Sequence, residues 1–366
     1  ALRATFGVMA GSGTGGVLAI ALGRCRFSLD KCEELVQALA ARVFAPGGAG
    51  GGGAKEKRKT KKAKEAAPSG SAYSDAAVES VLFDHFDEAE LAGPLFTTDT
   101  SLPSVMAVVT KCDLEPGVPL VLRSFNQTRQ GPSGAYSYRG TSDVSVFDAL
   151  RACLATPLYL PVVHVAAHSN TADNSLGELC DGSLVANNPA LVAYLETGRM
   201  LGGTEFVHNV VSLGTGRQRD TLPPLDAGSA TPMAVGKRAV SAAMETATVS
   251  VVLAHMTERY YRVNGPVTTH YDDATDAGLA MLCANANEMV ATFDWQPLVA
   301  AVTTPISDAD PANAPLPSGL TLLRKGAPKK QAPRRGSEDA TAASSAASDG
   351  ARSGTVDALV SPPPPP

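Results

Sequence analysis

The sequence has no apolar run of about 18 residues, which excludes a transmembrane helix from the prediction. Its six cysteines include no C-x-x-C pair, so a disulfide framework is not expected. Several of them lie in apolar runs, which predicts buried, reduced thiols in an intracellular protein, either soluble or peripheral to a membrane. The six histidines lack H-E-x-x-H spacing, so we expect no metal site and no cofactor.

The formal net charge of −5 is small for 366 residues and indicates no nucleic-acid partner. Positive charge is concentrated in residues 55–64, which read K-E-K-R-K-T-K-K-A-K. Three interpretations of this block stay open: contact with anionic lipid headgroups at a membrane surface, a nuclear or nucleic-acid patch, and a solvated linker.

The most informative local pattern is G-S-G-T-G-G at residues 11–16, between the apolar runs 6–10 and 17–22. A strand, a glycine turn and a helix in this order are typical of a nucleophile elbow, G-x-S-x-G. Gly11 and Gly15 occupy the flanking glycine positions of that motif, and Gly13 stands at the tip, where a serine is expected. The pattern therefore predicts the scaffold of a serine hydrolase without its nucleophile.

The same residues also fit G-x-G-x-x-G, the dinucleotide-binding turn, through Gly11, Gly13 and Gly16. That motif requires a second strand ending in an acidic residue roughly 20 residues further on. Residues 28–39 instead predict a helix, with Ser28 as its N-cap and apolar residues at intervals of three and four. Nucleotide binding stays as an alternative that this segment disfavours.

Three further segments carry a resemblance to a known family. Residues 179–195 contain the Asp-Gly pair Asp181-Gly182, residues 151–161 read R-A-C-L-A-T-P-L-Y-L-P, and residues 210–216 read V-V-S-L-G-T-G. Together with the glycine turn, these segments resemble the patatin-like phospholipases, in the order of that family.

The resemblance extends to one branch of the family. A Leu-Gly pair at 22–23 with the segment 29–35, residues 121–126 and residues 247–261 resemble the calcium-independent phospholipase A2 gamma branch. The resemblance implies a function in lipid degradation, with a glycerophospholipid or another acyl lipid as the partner.

The family chemistry implied by the resemblance is a serine–aspartate dyad, in which the serine attacks an acyl ester and the carboxylate takes its proton. Asp181 corresponds to the dyad carboxylate, and Gly13 to the serine. We therefore expect hydrolysis to be absent or severely impaired, as in a pseudoenzyme. The alternative in the enzyme class is a residual acyl-ester hydrolase in which Asp181 activates water directly.

Other hydroxyl side chains do not replace the serine in this interpretation. Ser12 and Thr14 flank the tip, but only the middle residue of an elbow projects away from both the strand and the helix. Ser133 and Ser183 are interpreted as loop serines, since no elbow surrounds them.

The apolar pattern predicts an α/β layer fold with a largely parallel sheet. The resemblance implies a three-layer, patatin-like arrangement in which helices flank the central sheet. Buried strands are predicted over 104–110, 118–122 and 206–213, and helices over 143–154, 189–195 and 237–260.

The predicted domain organisation is one lipid acyl hydrolase domain over residues 1–325. It is expected to be N-terminally incomplete, because the family's glycine-rich oxyanion segment is not in the chain. Residues 46–72 form a predicted disordered Gly/Lys-rich insertion, with a shorter polar insertion over 168–177. Residues 326–366 are rich in Pro, Ser and Ala and are predicted to be a disordered tail.

Overall fold

The structure of the chain is a computed structural model. It describes residues 2–44, 73–126, 138–168, 175–218, 245–268 and 273–303, with isolated positions between 235 and 243. The predicted insertion at 46–72 with its basic block at 55–64, the middle of the polar segment at 168–177, and the tail at 326–366 lie outside the described residues.

Helices and strands are interspersed along the first half of the chain. In order they are α1 (Leu2–Thr5), β1 (Val8–Ser12), α2 (Thr14–Ala19), α3 (Leu29–Val43), α4 (Asp75–His85), α5 (Glu88–Ala92), β2 (Ser104–Lys111), β3 (Val118–Arg123), β4 (Arg139–Thr141), α6 (Val146–Leu154), β5 (Val163–Val165), β6 (Gly177–Asp181), α7 (Ser183–Ala186) and α8 (Ala190–Leu201). A π-helical turn over Ile20–Arg24 extends α2. Helix α3 begins after Ser28, whose hydroxyl accepts the N–H of Lys31, as predicted for an N-cap.

In the described residues after α8 and a 3₁₀ turn over Thr204–Phe206, the elements form two small parallel strand pairs and three helices. They are β7 (Val210–Leu213), β8 (Arg217–Gln218), α9 (Ala247–Met256), β9 (Tyr260–Val263), β10 (Pro266–Val267), α10 (Asp276–Thr292) and α11 (Gln296–Thr303). Strand β7 pairs with β9, and β8 pairs with β10. No helix in the described ranges is both long and apolar enough to cross a membrane.

Strand β2 is the centre of the main, six-stranded sheet. Strand β3 lies along one edge of β2, and the other edge is shared by β1 and β6. Strand β1 pairs with the first part of β2, from Ser104 to Val108, and β6 pairs with the last part, from Val109 to Lys111. Strands β4 and β5 pair with the outer edges of β3 and β6.

The α/β class is confirmed, but the expectation of a largely parallel sheet is wrong. Only β1–β2 and β3–β4 are parallel pairs in the main sheet, and the other three pairs are antiparallel. For β2 and β3 the reason is connection length: six residues join Lys111 to Val118, and so short a connection returns the chain antiparallel, whereas a parallel partner needs a crossover.

Alternate residues of β2 face two helical layers, which gives the three-layer arrangement. Val105, Ala107 and Val109 belong to a core cluster with residues of α2, α3, α4 and α6. Met106 and Val108 belong to a second cluster on the other face, with residues of α7 and α8. Because side chains of a strand alternate between faces, the single strand β2 anchors both layers.

Two predicted elements differ from the structure. The predicted helix over 237–260 is observed as α9, which ends at Met256, because the chain then extends to pair β9 with β7. The predicted strand over 206–213 is shorter for a similar reason: Thr204–Phe206 form a 3₁₀ turn, and only Val210–Leu213 pair with β9.

Candidate functional site

The glycine turn has the predicted strand–turn–helix form. Strand β1 ends at Ser12 and α2 begins at Thr14, so Gly13 alone connects them, with φ 55° and ψ −136°. The Gly13 carbonyl accepts the N–H groups of Gly16 and Val17, at 2.9 and 3.2 Å. This backbone conformation is strained for a residue with a side chain, and glycine adopts it without that cost.

The glycines around the tip differ in how much space surrounds them. A Cβ on Gly11 would lie 2.0 Å from the Gly15 carbonyl oxygen, and one on Gly16 would lie 2.7 Å from Sγ of Cys153. A Cβ on Gly15 would meet nothing within 4 Å. Close packing therefore requires glycine at 11 and restricts position 16, whereas position 15 has room for a side chain.

The sheet brings Asp181 to the tip of the turn. Ser12 pairs with Val108, and Asp181 pairs with the next residue, Val109. Strands β1 and β6 therefore run along the same edge of β2 from opposite ends, and their last residues are neighbours. Gly182 completes this approach: its Cβ would lie 2.0 Å from the Val108 carbonyl oxygen, so no larger residue fits there.

The Asp181 carboxylate is buried, with 4% of the residue exposed, and it accepts several hydrogen bonds. Oδ1 accepts the backbone N–H and the hydroxyl of Ser183, both at 2.9 Å, and Oδ2 accepts the Thr156 hydroxyl at 3.1 Å. Burial raises the pKa of the Asp181 carboxyl, while the bonds from Ser183, Thr156 and the Gly13 N–H act in the opposite direction. A carboxylate with a raised pKa is better suited to accept a proton than an ordinary surface aspartate.

Position 13 is in direct contact with this carboxylate. A Cβ on Gly13 would lie 3.0 and 3.1 Å from the two carboxylate oxygens of Asp181, and 3.1 Å from Oγ of Ser183. The structure thus brings Gly13, Asp181 and Gly182 together, and it adds Ser183 to them.

The interpretation of Ser183 as a loop serine is wrong. Ser183 is the first residue of α7, it is 8% exposed, and its hydroxyl is bonded to Asp181. The signal that could have found it is the spacing, since an aspartate side chain commonly bonds to the residue two positions further on.

The two hydroxyl residues beside the tip differ in their surroundings. Ser12 is buried, and its hydroxyl lies 3.5 Å from the Asn187 carbonyl oxygen. Thr14 is exposed at the start of α2.

One other segment of the resemblance contacts the same carboxylate. Thr156, which bonds to Asp181, belongs to 151–161, and the Ala155 carbonyl in that segment accepts the Asp181 N–H at 3.0 Å. The hydroxyl of Ser212, in 210–216, donates to Oδ1 of Asn188 at 3.0 Å. The same Asn188 oxygen accepts the Ala190 N–H at 3.2 Å, so Asn188 supports the start of α8.

Two cavities of about 310 and 230 Å³ lie elsewhere, the first beside Arg123 and Asn126 and the second beside Asn264 and Met289. Neither is lined by Gly13 or Asp181. In the described part of the chain, no group of three or more His, Cys, Asp or Glu side chains is placed to hold a metal ion.

Comparison with known proteins identifies the family. The chain is 25% identical over 245 residues to Phospholipase A I of Arabidopsis thaliana, a match that covers 58% of this chain and 18% of that protein. The chain thus spans less than a fifth of this relative's length. Residues 1–194, more than half of the chain, match the model of the patatin-like phospholipase family, and they include both the glycine turn and Asp181. The chain belongs to the patatin-like phospholipase family.

Proposed function

We propose that this chain binds acyl esters of glycerophospholipids at Gly13 and Asp181, and that hydrolysis there is severely impaired. The observation that carries the proposal is the contact between the tip of the turn and the carboxylate. Position 13 faces a buried base, as a nucleophile would, but it has no side chain to be activated.

The surroundings of the site support an acyl-ester substrate. A buried carboxylate held by Thr156 and Ser183 is a fixed proton acceptor, which can take the proton of the hydroxyl or water that attacks an acyl ester.

The proposal also assigns the chain to one branch of the family. Residues 121–126 and 247–261 support a place in the calcium-independent phospholipase A2 gamma branch. The first segment contains the end of β3, and the second contains α9 and the start of β9.

Two measurements on the full chain test the proposed function. Co-sedimentation with phosphatidylcholine vesicles is expected to show binding, and titration of released fatty acid is expected to show slow turnover. Loss of the nucleophile from a serine hydrolase leaves a residual of about 10³–10⁴ over the uncatalysed rate. Absence of vesicle binding would contradict the acyl-lipid site, and fast turnover would contradict its impairment.

A further inference from the structure

Ser183 places a hydroxyl at the point where the tip of the turn meets the carboxylate. Its Oγ lies 2.9 Å from Oδ1 of Asp181, within the range at which a base activates a hydroxyl nucleophile. The same Oγ lies 3.1 Å from the position that a Cβ of residue 13 would occupy. The hydroxyl that position 13 lacks is thus present on the neighbouring segment.

We propose that Ser183 is the nucleophile of this site and that Asp181 is its general base. The proposal rests on the proposed function and deepens it, since it assigns the residual turnover to a particular side chain.

The Thr156 hydroxyl fixes the base of this pair. It donates to Oδ2 of Asp181 at 3.1 Å, while Oδ1 accepts the Ser183 hydroxyl at 2.9 Å. A hydroxyl bonded to a base that a third group orients is the arrangement of an activated nucleophile.

A comparison within the chain distinguishes Ser183 from a capping serine. Ser145 also donates its hydroxyl to an aspartate, Asp148, at 2.7 Å, and it is equally buried. Ser145, however, is the N-cap of α6 and accepts the Asp148 N–H. Helix α7 has Gly182 at its N-cap and no side-chain cap, so the Ser183 hydroxyl is not committed to starting the helix.

The reaction balances with an ester and water alone. Asp181 takes the proton of Ser183 as Oγ forms a bond to the acyl carbon. The bond from that carbon to the alcohol oxygen then breaks, and Asp181 returns the proton to the leaving alcohol. Water, deprotonated by Asp181, next attacks the acyl carbon; the bond to Oγ breaks, Ser183 regains a proton, and a fatty acid is released.

The experiment is covalent labelling of the full chain with a long-chain alkyl fluorophosphonate, followed by mass spectrometry of the labelled peptide. Attack by Oγ on phosphorus expels fluoride and leaves a stable adduct on the attacking residue. We expect the adduct on Ser183, no adduct in Ser183→Ala, and a 10²–10⁴-fold slower labelling in Asp181→Asn, about the range that a general base contributes. Ser145→Ala is the matched control and is expected to label at the parent rate.

The outcomes separate the two proposals. An adduct on Ser12 or Thr14 overturns the assignment to Ser183, as does unchanged ester turnover in Ser183→Ala, which would indicate direct activation of water by Asp181. No adduct in a chain that still binds phosphatidylcholine vesicles overturns the assignment and leaves the proposed function standing. No adduct in a folded chain that binds no vesicles overturns both. Mass spectrometry of the labelled parent chain locates the adduct even if a variant does not fold.

Discussion

Gly13 and Asp181 face each other because β1 and β6 end at consecutive residues of β2, Val108 and Val109. Their contact is therefore a consequence of strand pairing and does not depend on a flexible loop. Any side chain at position 13 must fit against a carboxylate that the sheet holds in place.

The first prediction concerns the restoration of serine at the tip. We expect Gly13→Ser to destabilise the chain by about 1–3 kcal/mol, because φ at this residue is 55° and the new Cβ would lie 3.0 Å from Asp181. Denaturant unfolding of the variant measures this change.

A double-mutant cycle with Ser183→Ala tests whether the close contact with Ser183 causes this loss of stability. Removal of the Ser183 hydroxyl relieves one of the close contacts at position 13, so we expect the double variant to be more stable than the sum of the single changes predicts, by about 0.5–3 kcal/mol. Additive changes would show that Ser183 does not limit the space at position 13.

The local parts of the site could be predicted from the sequence, and the parts that depend on pairing could not. The turn at 11–16 is a strand, a bend and a helix in direct succession, so its form follows from neighbouring residues. The meeting of β1 with β6 depends on where two distant segments pair along β2, and a sequence pattern does not encode that register. The spacing of Ser183 from Asp181 permits their bond, but the sequence does not show that β6 ends at Asp181 and that α7 begins at Ser183.

The second prediction concerns the glycines that the close packing requires. Gly182→Ala would place a Cβ 2.0 Å from the Val108 carbonyl oxygen. Overpacking against side chains costs about 1–3 kcal/mol, and a backbone neighbour has less freedom to move, so we expect a loss at or above the top of that range.

Gly15→Ala is the matched control for that variant. Position 15 lies in the first turn of α2 and has no atom within 4 Å of its Cβ, so alanine there is expected to leave the melting temperature unchanged or to raise it slightly. Equal destabilisation by the two variants would contradict the packing argument.

The third prediction concerns the ion pair that joins α8 to the sheet. Arg123 donates from Nε and Nη2 to Oε2 of Glu196, at 2.9 and 2.6 Å, and both side chains are buried. Glu196→Gln leaves a buried guanidinium without its counter-charge, so we expect a loss of about 3–5 kcal/mol in chemical denaturation.

An exposed pair on the same sheet provides the comparison. Glu178 pairs with His164 on β5, and both side chains are largely exposed. Glu178→Gln is expected to cost about 0–1 kcal/mol. A similar cost for both variants would mean that burial does not decide the strength of the Arg123–Glu196 pair.

The fourth prediction concerns the effect of pH on stability. Because burial raises the native pKa of Asp181 above its unfolded value, the native chain holds this proton more tightly. The tighter binding of this proton stabilises the native chain at pH values below the unfolded pKa. The stabilisation is lost as the pH rises through the native pKa. Asp181→Asn carries no charge to bury, so we expect it to melt at a higher temperature than the parent at neutral pH.

The difference in melting temperature between Asp181→Asn and the parent is expected to shrink as the pH falls, because the parent carboxyl then becomes neutral as well. A variant less stable than the parent at neutral pH would show that the hydrogen bonds to the carboxylate outweigh its burial.

The fifth prediction concerns the cysteines, all six of which are free thiols. Cys283 is exposed on α10, whereas Cys25, Cys153 and Cys180 are buried, and burial raises the pKa of each of these three thiols. The thiolate is the reactive form. We therefore expect a thiol reagent to label Cys283 of the native chain in a fast phase. This fast phase is expected to disappear in Cys283→Ser.

Cys153 makes this measurement informative about the site. Its Sγ lies against Gly16, where even a Cβ would be only 2.7 Å away, so a reagent reaches this thiol only if α6 separates from α2. Labelling of Cys153 is therefore expected to require unfolding and to follow the denaturation curve of the chain. Fast labelling of Cys153 under native conditions would mean that α2 opens readily, and the position of Gly13 against Asp181 would then not be fixed by packing.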